Sequence, residues 1–202
     1  MVLKQGAEAT ILKGEYLGRS AAFKRREAKA YRHPQLDARL IRMRTRNEVR
    51  SMVAAREAGV RTPVVYDVDL REGVIVMQFV SGERLSSLLP SMAPPQRTAL
   101  ERILGSEIAR LHRAGIAHGD LTTSNIIFSG EALYFIDFSM ATRPADTEQL
   151  GVDLRLLKEV YKSTHSEFED EFGEVLRGYL DGGGGREVVE KIAEIERRAR
   201  YV

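Results

Sequence analysis

The residues best suited to chemistry lie in one run, His118-Gly119-Asp120-Leu121-Thr122-Thr123-Ser124-Asn125, followed closely by Ile136-Asp137-Phe138-Ser139. Asp120 and Asn125 stand five positions apart at the two ends of a polar loop, and Asp137 ends the apolar hairpin that follows. Phosphoryl transfer calls for this combination, because its catalysts mainly position groups and neutralise charge. One carboxylate must orient the nucleophile or accept its proton, a role open to Asp120. Mg²⁺ takes hard oxygen ligands. An amide oxygen and a second carboxylate, Asn125 and Asp137, could hold it against a phosphate. Singly, each residue also reads as an ordinary turn former; the joint spacing points to catalysis. His118 is read as a brace for the loop, without a chemical role.

A catalyst that uses Mg²⁺ and ATP also needs a cation on the phosphates and an acid to steady that cation. Lys24 ends the apolar segment Ala21-Ala22-Phe23, where its charge must emerge into a cleft or into solvent. At about 100° per residue, Glu48 shares a helix face with Ile41, Thr45, Met52 and Ala55, and Arg39, Arg42, Arg46 and Arg50 take the opposite face. An acid on a semi-apolar face needs a partner, and Lys24 is the natural one; plain surface positions for both are the alternative. A phosphate-covering turn is expected at Lys4-Gln5-Gly6-Ala7-Glu8-Ala9, which has one glycine where Gly-x-Gly-x-x-Gly is usual. Backbone N–H groups of such a turn can still reach phosphate.

These residues require elements to hold them. Ala9–Leu12 and Ala21–Phe23 read as strands between Gly6, Gly14 and Gly18. Arg25–Asp37 reads as a loop, and a helix is expected from Asp37, as its cap, to about Gly59. Strands are expected at Val64–Val68 and Val74–Phe79, before a break at Ser81-Gly82. A helix from Pro95 to Ala114 carries Leu100, Ile103, Leu104, Ile108 and Leu111 at helical spacing. A hairpin follows over 126–136, then helical patterns over 147–162, 166–180 and 186–200, with Gly182–Gly185 as a flexible joint. The order implies an α+β fold of two lobes in a single domain over 1–202. The N-lobe and hinge occupy about 1–80, the reduced helical C-lobe 81–202, with a cleft near the break.

Composition sets wider bounds. Lys plus Arg number 31 and Asp plus Glu 29, a formal net charge of +2 that says little by itself. The basic residues are clustered, on the Arg39/Arg42/Arg46/Arg50 face and in the tail Arg197-Arg198-Ala199-Arg200. These read either as solvated faces or as contacts for nucleic acid or an acidic partner. Aromatics are sparse around them, which favours phosphate contact over base stacking. The absence of Cys excludes disulfides and Cys-based zinc sites. With no signal-peptide pattern and no apolar run near the ~18 residues of a membrane span, a soluble, cytoplasmic protein is expected.

Taken together, Gln5-Gly6-Ala7-Glu8-Ala9, Tyr31-Arg32-His33-Pro34-Gln35-Leu36-Asp37, Asn47-Glu48, the His118–Asn125 run, Ile136-Asp137-Phe138-Ser139, Gly151-Val152-Asp153-Leu154 and Ser163-Thr164-His165 resemble one family over nearly the whole chain. It is the small atypical kinases of the KEOPS (EKC) complex, the PRPK type. The resemblance implies a bilobal protein-kinase-like fold with a reduced C-lobe. It implies an ATPase that acts with a tRNA-threonylcarbamoyl-transferase subunit in forming threonylcarbamoyladenosine on tRNA, with serine/threonine kinase activity that includes itself. Lys24 would hold the α- and β-phosphates, steadied by Glu48, and Asp120 would orient the nucleophile. Asn125 and Asp137 would bind Mg²⁺. Met77-Gln78-Phe79 would form the hinge whose backbone meets adenine, with Gln78 where family members often carry an acid. The basic tail would face partner and tRNA. The short stretch from Asp137 to Val152 has no room for a conventional activation segment, which argues against general peptide phosphorylation. Two other readings are a small-molecule kinase of the aminoglycoside or choline type, for which the C-lobe is short, and a non-catalytic scaffold, which the presence of Asp120, Asn125 and Asp137 disfavours.

Overall fold

The computed structural model describes residues 2–5, 9–130 and 132–199. Gly6, Ala7 and Glu8 of the expected phosphate cover, and 200–202 of the tail, lie outside the described residues.

The N-terminal half is a five-stranded antiparallel sheet with one helix packed against it. β1 (Val2–Gln5), β2 (Ala9–Tyr16), β3 (Arg19–Arg26), β4 (Val65–Asp69) and β5 (Val74–Gln78) lie in the order β1-β2-β3-β5-β4. The interior position of β3 follows from its residues. Ala21, Ala22, Lys24 and Arg26 are all buried, whereas every residue of β2 is half-buried or exposed. Helix α1 spans Pro34–Glu57 and turns Thr45, Glu48, Met52 and Ala55 inward, the face its periodicity predicts.

Two boundaries differ from expectation. β3 runs on to Arg26 because that side chain is drawn into the interior by Glu48. The helix begins at Pro34, with His33 as a cap that supplies no side-chain bond. Pro suits the first turn, where its missing N–H costs nothing. Asp37 is therefore not the cap. Its buried carboxylate accepts from Lys29 N at 3.0 Å and Arg32 Nη1 at 3.2 Å, which folds the preceding loop back onto the helix.

The second half is mainly helical. It comprises β6 (Glu83–Arg84), α2 (Leu85–Ser91), α3 (Pro94–Arg113), β7 (Ile126–Ser129), β8 (Ala132–Phe135), α4 (Thr147–Thr164), α5 (Phe172–Asp181) and α6 (Arg186–Ala199). β6, β7 and β8 form a small antiparallel sheet. Leu104, Ile108, Phe135, Phe138, Leu157 and Tyr161 are wholly buried in its core, and each such side chain contributes about 2 kcal/mol through removal from water. Gly178 lets α5 lie backbone to backbone on α3, since a Cβ there would come within 2.0 Å of the Arg102 carbonyl oxygen.

The glycine run 182–185 is a packed turn, not a free joint. Gly182 N donates to Gly178 O at 2.9 Å and Gly184 N to Tyr179 O at 2.9 Å, ending α5. Among the described residues no helix is long and apolar enough to cross a membrane.

Candidate active site

Strand periodicity sets up one wall of the cleft. Residues two apart on a strand share a face, so Ala22, Lys24 and Arg26 all point beneath the sheet. Glu48 meets two of them. Its Oε1 accepts from Lys24 Nζ at 2.6 Å and its Oε2 from Arg26 Nη2 at 2.6 Å. Lys24 Nζ also donates to Asp137 Oδ1 at 2.7 Å, so one ammonium ties the helix of the first lobe to the hairpin end of the second. Burial disfavours this ammonium, but Glu48 and Asp137 outweigh the burial and raise its pKa. Asp137 also meets a burial cost, overcome by the Lys24 charge and hydrogen bond and by Ser139, and its carboxyl lies well below the usual carboxylate range.

Asp137 occupies left-handed backbone space, φ 65° and ψ 63°. Non-glycine residues adopt it at a cost of order 1 kcal/mol, and such strain clusters at functional sites. The conformation aims the carboxylate into the cleft, whose lining also includes Lys24 and Asn125.

The second wall is the loop before β7. Asn125 Nδ2 donates to Asp120 Oδ2 at 2.8 Å and to Asp120 O at 2.9 Å. Both amide protons are thus used inside the loop, leaving the carbonyl oxygen Oδ1 for the cleft. Ile136 N donates to Asn125 O at 2.9 Å, joining this loop to the strand that carries Asp137. His118 is fully buried, and its Nε2 lies 3.0 Å from Ile136 O. Burial lowers its pKa, so it braces the loop as a neutral ring. Gly119 has φ 80°, and a Cβ there would come within 2.1 Å of Met140 O; only glycine lets the loop pass so close to the segment after Asp137.

Three participants were not assigned a role from sequence chemistry. Arg26 was masked by its place among Lys24, Arg25 and Glu27, although its even spacing from Lys24 was a legible signal. Asp153, wholly buried on α4, accepts from the backbone N–H groups of His118 and Gly119, the latter at 2.8 Å. Arg84 lines the cleft and donates to Ser124 O at 2.5 Å.

Met77, Gln78 and Phe79 line the same cleft at its inner edge. Two of their N–H groups are already engaged, Gln78 N with Val64 O at 2.7 Å and Phe79 N with Ser20 O at 3.2 Å. The Gln78 side chain turns back to accept from Val64 N at 3.3 Å. Ala9 opens β2 opposite Arg26, half-buried.

The basic features lie elsewhere. Arg39, Arg42, Arg46 and Arg50 are exposed and, with Arg44, line an open concavity beside Ser139, Met140 and Ala141. Asn47 Nδ2 donates to Ala141 O at 2.8 Å at its floor. In the tail, Arg198 pairs with Glu148 on α4, and Arg197 is exposed.

Comparison with known proteins agrees with this architecture. The RIO domain family matches residues 4–172. The KEOPS complex subunit Bud32 of Pyrococcus abyssi is 44% identical over 99% of this chain and 96% of its own length. A probable bifunctional tRNA threonylcarbamoyladenosine biosynthesis protein of Methanothermobacter thermautotrophicus is 43% identical over 99% of this chain, which spans 36% of that relative's length. A probable serine/threonine-protein kinase BUD32 homolog of Archaeoglobus fulgidus is 40% identical over 89% of this chain and 87% of its own. Among solved structures, the Rio2 kinase-ADP/Mg²⁺-phosphoaspartate complex from Chaetomium thermophilum superposes with a TM-score of 0.68 over all of this chain and 71% of that one, at 17% identity. The bilobal kinase-like fold and the sequence matches together place the chain in the RIO-domain family of atypical kinases, within its Bud32 branch.

Proposed function

We propose that this chain binds Mg-ATP between its lobes and splits off the γ-phosphate as an atypical serine/threonine kinase and ATPase of a KEOPS complex, in support of threonylcarbamoyladenosine formation on tRNA. The observation that carries the reading is the bridge from Glu48 through Lys24 to Asp137, which shares one cleft with Asn125, itself hydrogen-bonded to Asp120. Lys24 is the cation for the α- and β-phosphates, and Glu48 keeps it extended. Asp120 orients the attacking hydroxyl or water and can accept its proton. Met77, Gln78 and Phe79 present the adenine edge. With the N–H groups of Gln78 and Phe79 engaged in the sheet, the base meets the carbonyls there or the backbone of Val80. Cover for the phosphates is assigned to Gly6, Ala7, Glu8 and Ala9 from their sequence pattern alone.

The donor set suits Mg²⁺. Asp137 is held ionised and Asn125 keeps an amide oxygen free, both hard oxygen ligands. Among the described residues no cluster of three or more His, Asp or Glu is arranged for a metal, so phosphates and water would complete the shell, as is usual for Mg²⁺. Bound there, the ion neutralises charge on the phosphates.

The partner reading follows the relatives' names, a KEOPS subunit and tRNA threonylcarbamoyladenosine biosynthesis proteins. We assign the threonylcarbamoyl-transferase subunit as chief partner, with tRNA reached through the Arg39/Arg42/Arg46/Arg50 face and the basic tail. ATP hydrolysis by the purified chain, with and without that subunit and tRNA, tests the whole reading. Stimulation by both is expected. Turnover indifferent to both, together with phosphorylation of a protein or small molecule, would replace it with a free-standing kinase.

A further inference from the structure

Helix α4 holds the loop that bears Asp120 and Asn125 at two points. Asp153 takes the N–H groups of His118 and Gly119 at its beginning. Twelve residues later, about 18 Å along a helix axis, His165 caps the same helix and meets the other end of the loop. Its Nε2 lies 3.0 Å from Thr123 Oγ1, both residues being buried. Thr123 opens the 3₁₀ turn Thr123–Asn125 that delivers Asn125 to the cleft. The bond within the loop, Asn125 to Asp120, sets their mutual distance but cannot fix either against the body of the lobe.

His165 is built into its place. Its ring contacts Tyr161 edge-on at 5.4 Å and stacks on Phe168 at 5.2 Å between centroids. Arg97 lies over the other ring partner, 3.9 Å from the Phe168 centroid, and pairs with Glu171. Glu101 accepts from Tyr161 beneath. Burial and the Arg97 charge both lower the imidazole pKa, so the ring is neutral near pH 7. Its Nδ1 is buried with no hydrogen-bond partner among the described residues. Nε2 is therefore the ring nitrogen that ties His165 to the loop, whichever of the two groups donates.

We propose that His165 is a positioning residue, hydrogen-bonded through Nε2 to Thr123 Oγ1 and thereby holding the turn that aims Asn125 beside Asp120. The inference rests on the roles given to Asp120 and Asn125 above. It gives the Ser163-Thr164-His165 string a physical role that its residue types alone did not suggest.

The test compares His165→Phe, which keeps an aromatic in place, Thr123→Val, which keeps the shape, their double variant, and His165→Gln, which restores a hydrogen-bonding group. Each single substitution should lower kcat for ATP about tenfold, the worth of one buried hydrogen bond in the aim of the loop, with KM for ATP changed less. The double variant should be no slower than the slower single, and Gln should recover part of the loss. Parental kcat in either single, or losses that multiply in the double, overturns the proposal. A second readout needs no turnover: the ¹⁵N NMR signal of the imidazole Nε2 should move in Thr123→Val, and that of Nδ1 should move less. No response at Nε2 overturns it equally. A parent chain without ATP turnover would defeat the function proposed above and leave the NMR result to decide this one.

Discussion

Glu48 gives one carboxylate oxygen to Lys24 and the other to Arg26, each at 2.6 Å, with all three side chains at most 5% exposed. Two buried cations share one buried anion, and Asp137 supplies the second negative charge through Lys24. The cluster is therefore balanced only with both acids present.

Its composition predicts unequal responses. Glu48→Gln leaves two buried cations facing one carboxylate and should destabilise the fold by about 3 kcal/mol, since breaking a buried pair strands a charge. Arg26→Met strands the other oxygen of Glu48, but the surplus negative charge is shared with Asp137, whose side chain is 28% exposed, so the loss should be smaller, about 2 kcal/mol. Urea unfolding of the two variants measures both. Equal losses would refute the sharing of that charge by Asp137.

Asp137→Asn keeps the side-chain shape and tolerates left-handed backbone, but loses the charge that meets Lys24. Asp120→Ala removes the orienting carboxylate. Turnover should fall by roughly 10²–10⁴-fold for Asp120→Ala and be lost in Asp137→Asn, while circular dichroism stays that of the parent. Activity near the parental level in either variant would refute the assigned roles.

Glu101 predicts a pH dependence. Burial pushes its carboxyl up to about 8, against a hydrogen bond from Tyr161 that favours ionisation. A raised folded pKa means that the native state holds a proton the unfolded chain has released. The resulting stability is fully present below the unfolded value near 4.3 and is lost as pH rises towards 8. The slope should be roughly 1 kcal/mol per pH unit, read from unfolding midpoints. Glu101→Gln, permanently neutral, should flatten it. Asp137 acts in the opposite direction, its depressed pKa adding stability above the carboxylate range that is lost on acidification.

The arginine face predicts a salt effect. Removing Arg42 and Arg46 by Ala should weaken tRNA binding and reduce the slope of log affinity against log salt by about 1 per lost phosphate contact. ATP turnover without tRNA should not change. An unaltered slope, measured by fluorescence anisotropy, would remove this face from the interface.

Acidification has a simple limit at His118 as well. It is fully buried and its pKa is lowered by that burial, so protonation would place a charge inside the loop that it braces.

Much of the site was legible because it is local. The spacing of Asp120 and Asn125 is set within one loop, and the hairpin that ends at Asp137 has its own turn. Helical periodicity put Glu48 on the inward face of α1 with Thr45, Met52 and Ala55, and all four are buried. The segment Ala21-Ala22-Phe23 is part of a strand of the sheet, and Lys24 follows it inside. These features follow from backbone geometry over a few residues.

Tertiary structure decided what crosses between elements. Periodicity says which residues share a face but not which faces meet. Arg26 joins Glu48 only because β3 and α1 are stacked with that register. Asp153 reaches the His118 loop from 34 residues away, and His165 reaches Thr123 from 42. Asp37 looked like a helix cap by type, but Pro34 starts the helix and the carboxylate is spent on the loop before it. The glycine run, flexible by composition, is closed by backbone bonds to α5. Residue types and spacing could identify groups able to hold a phosphate; only the packing of α4 against the loop determined what keeps those groups in place.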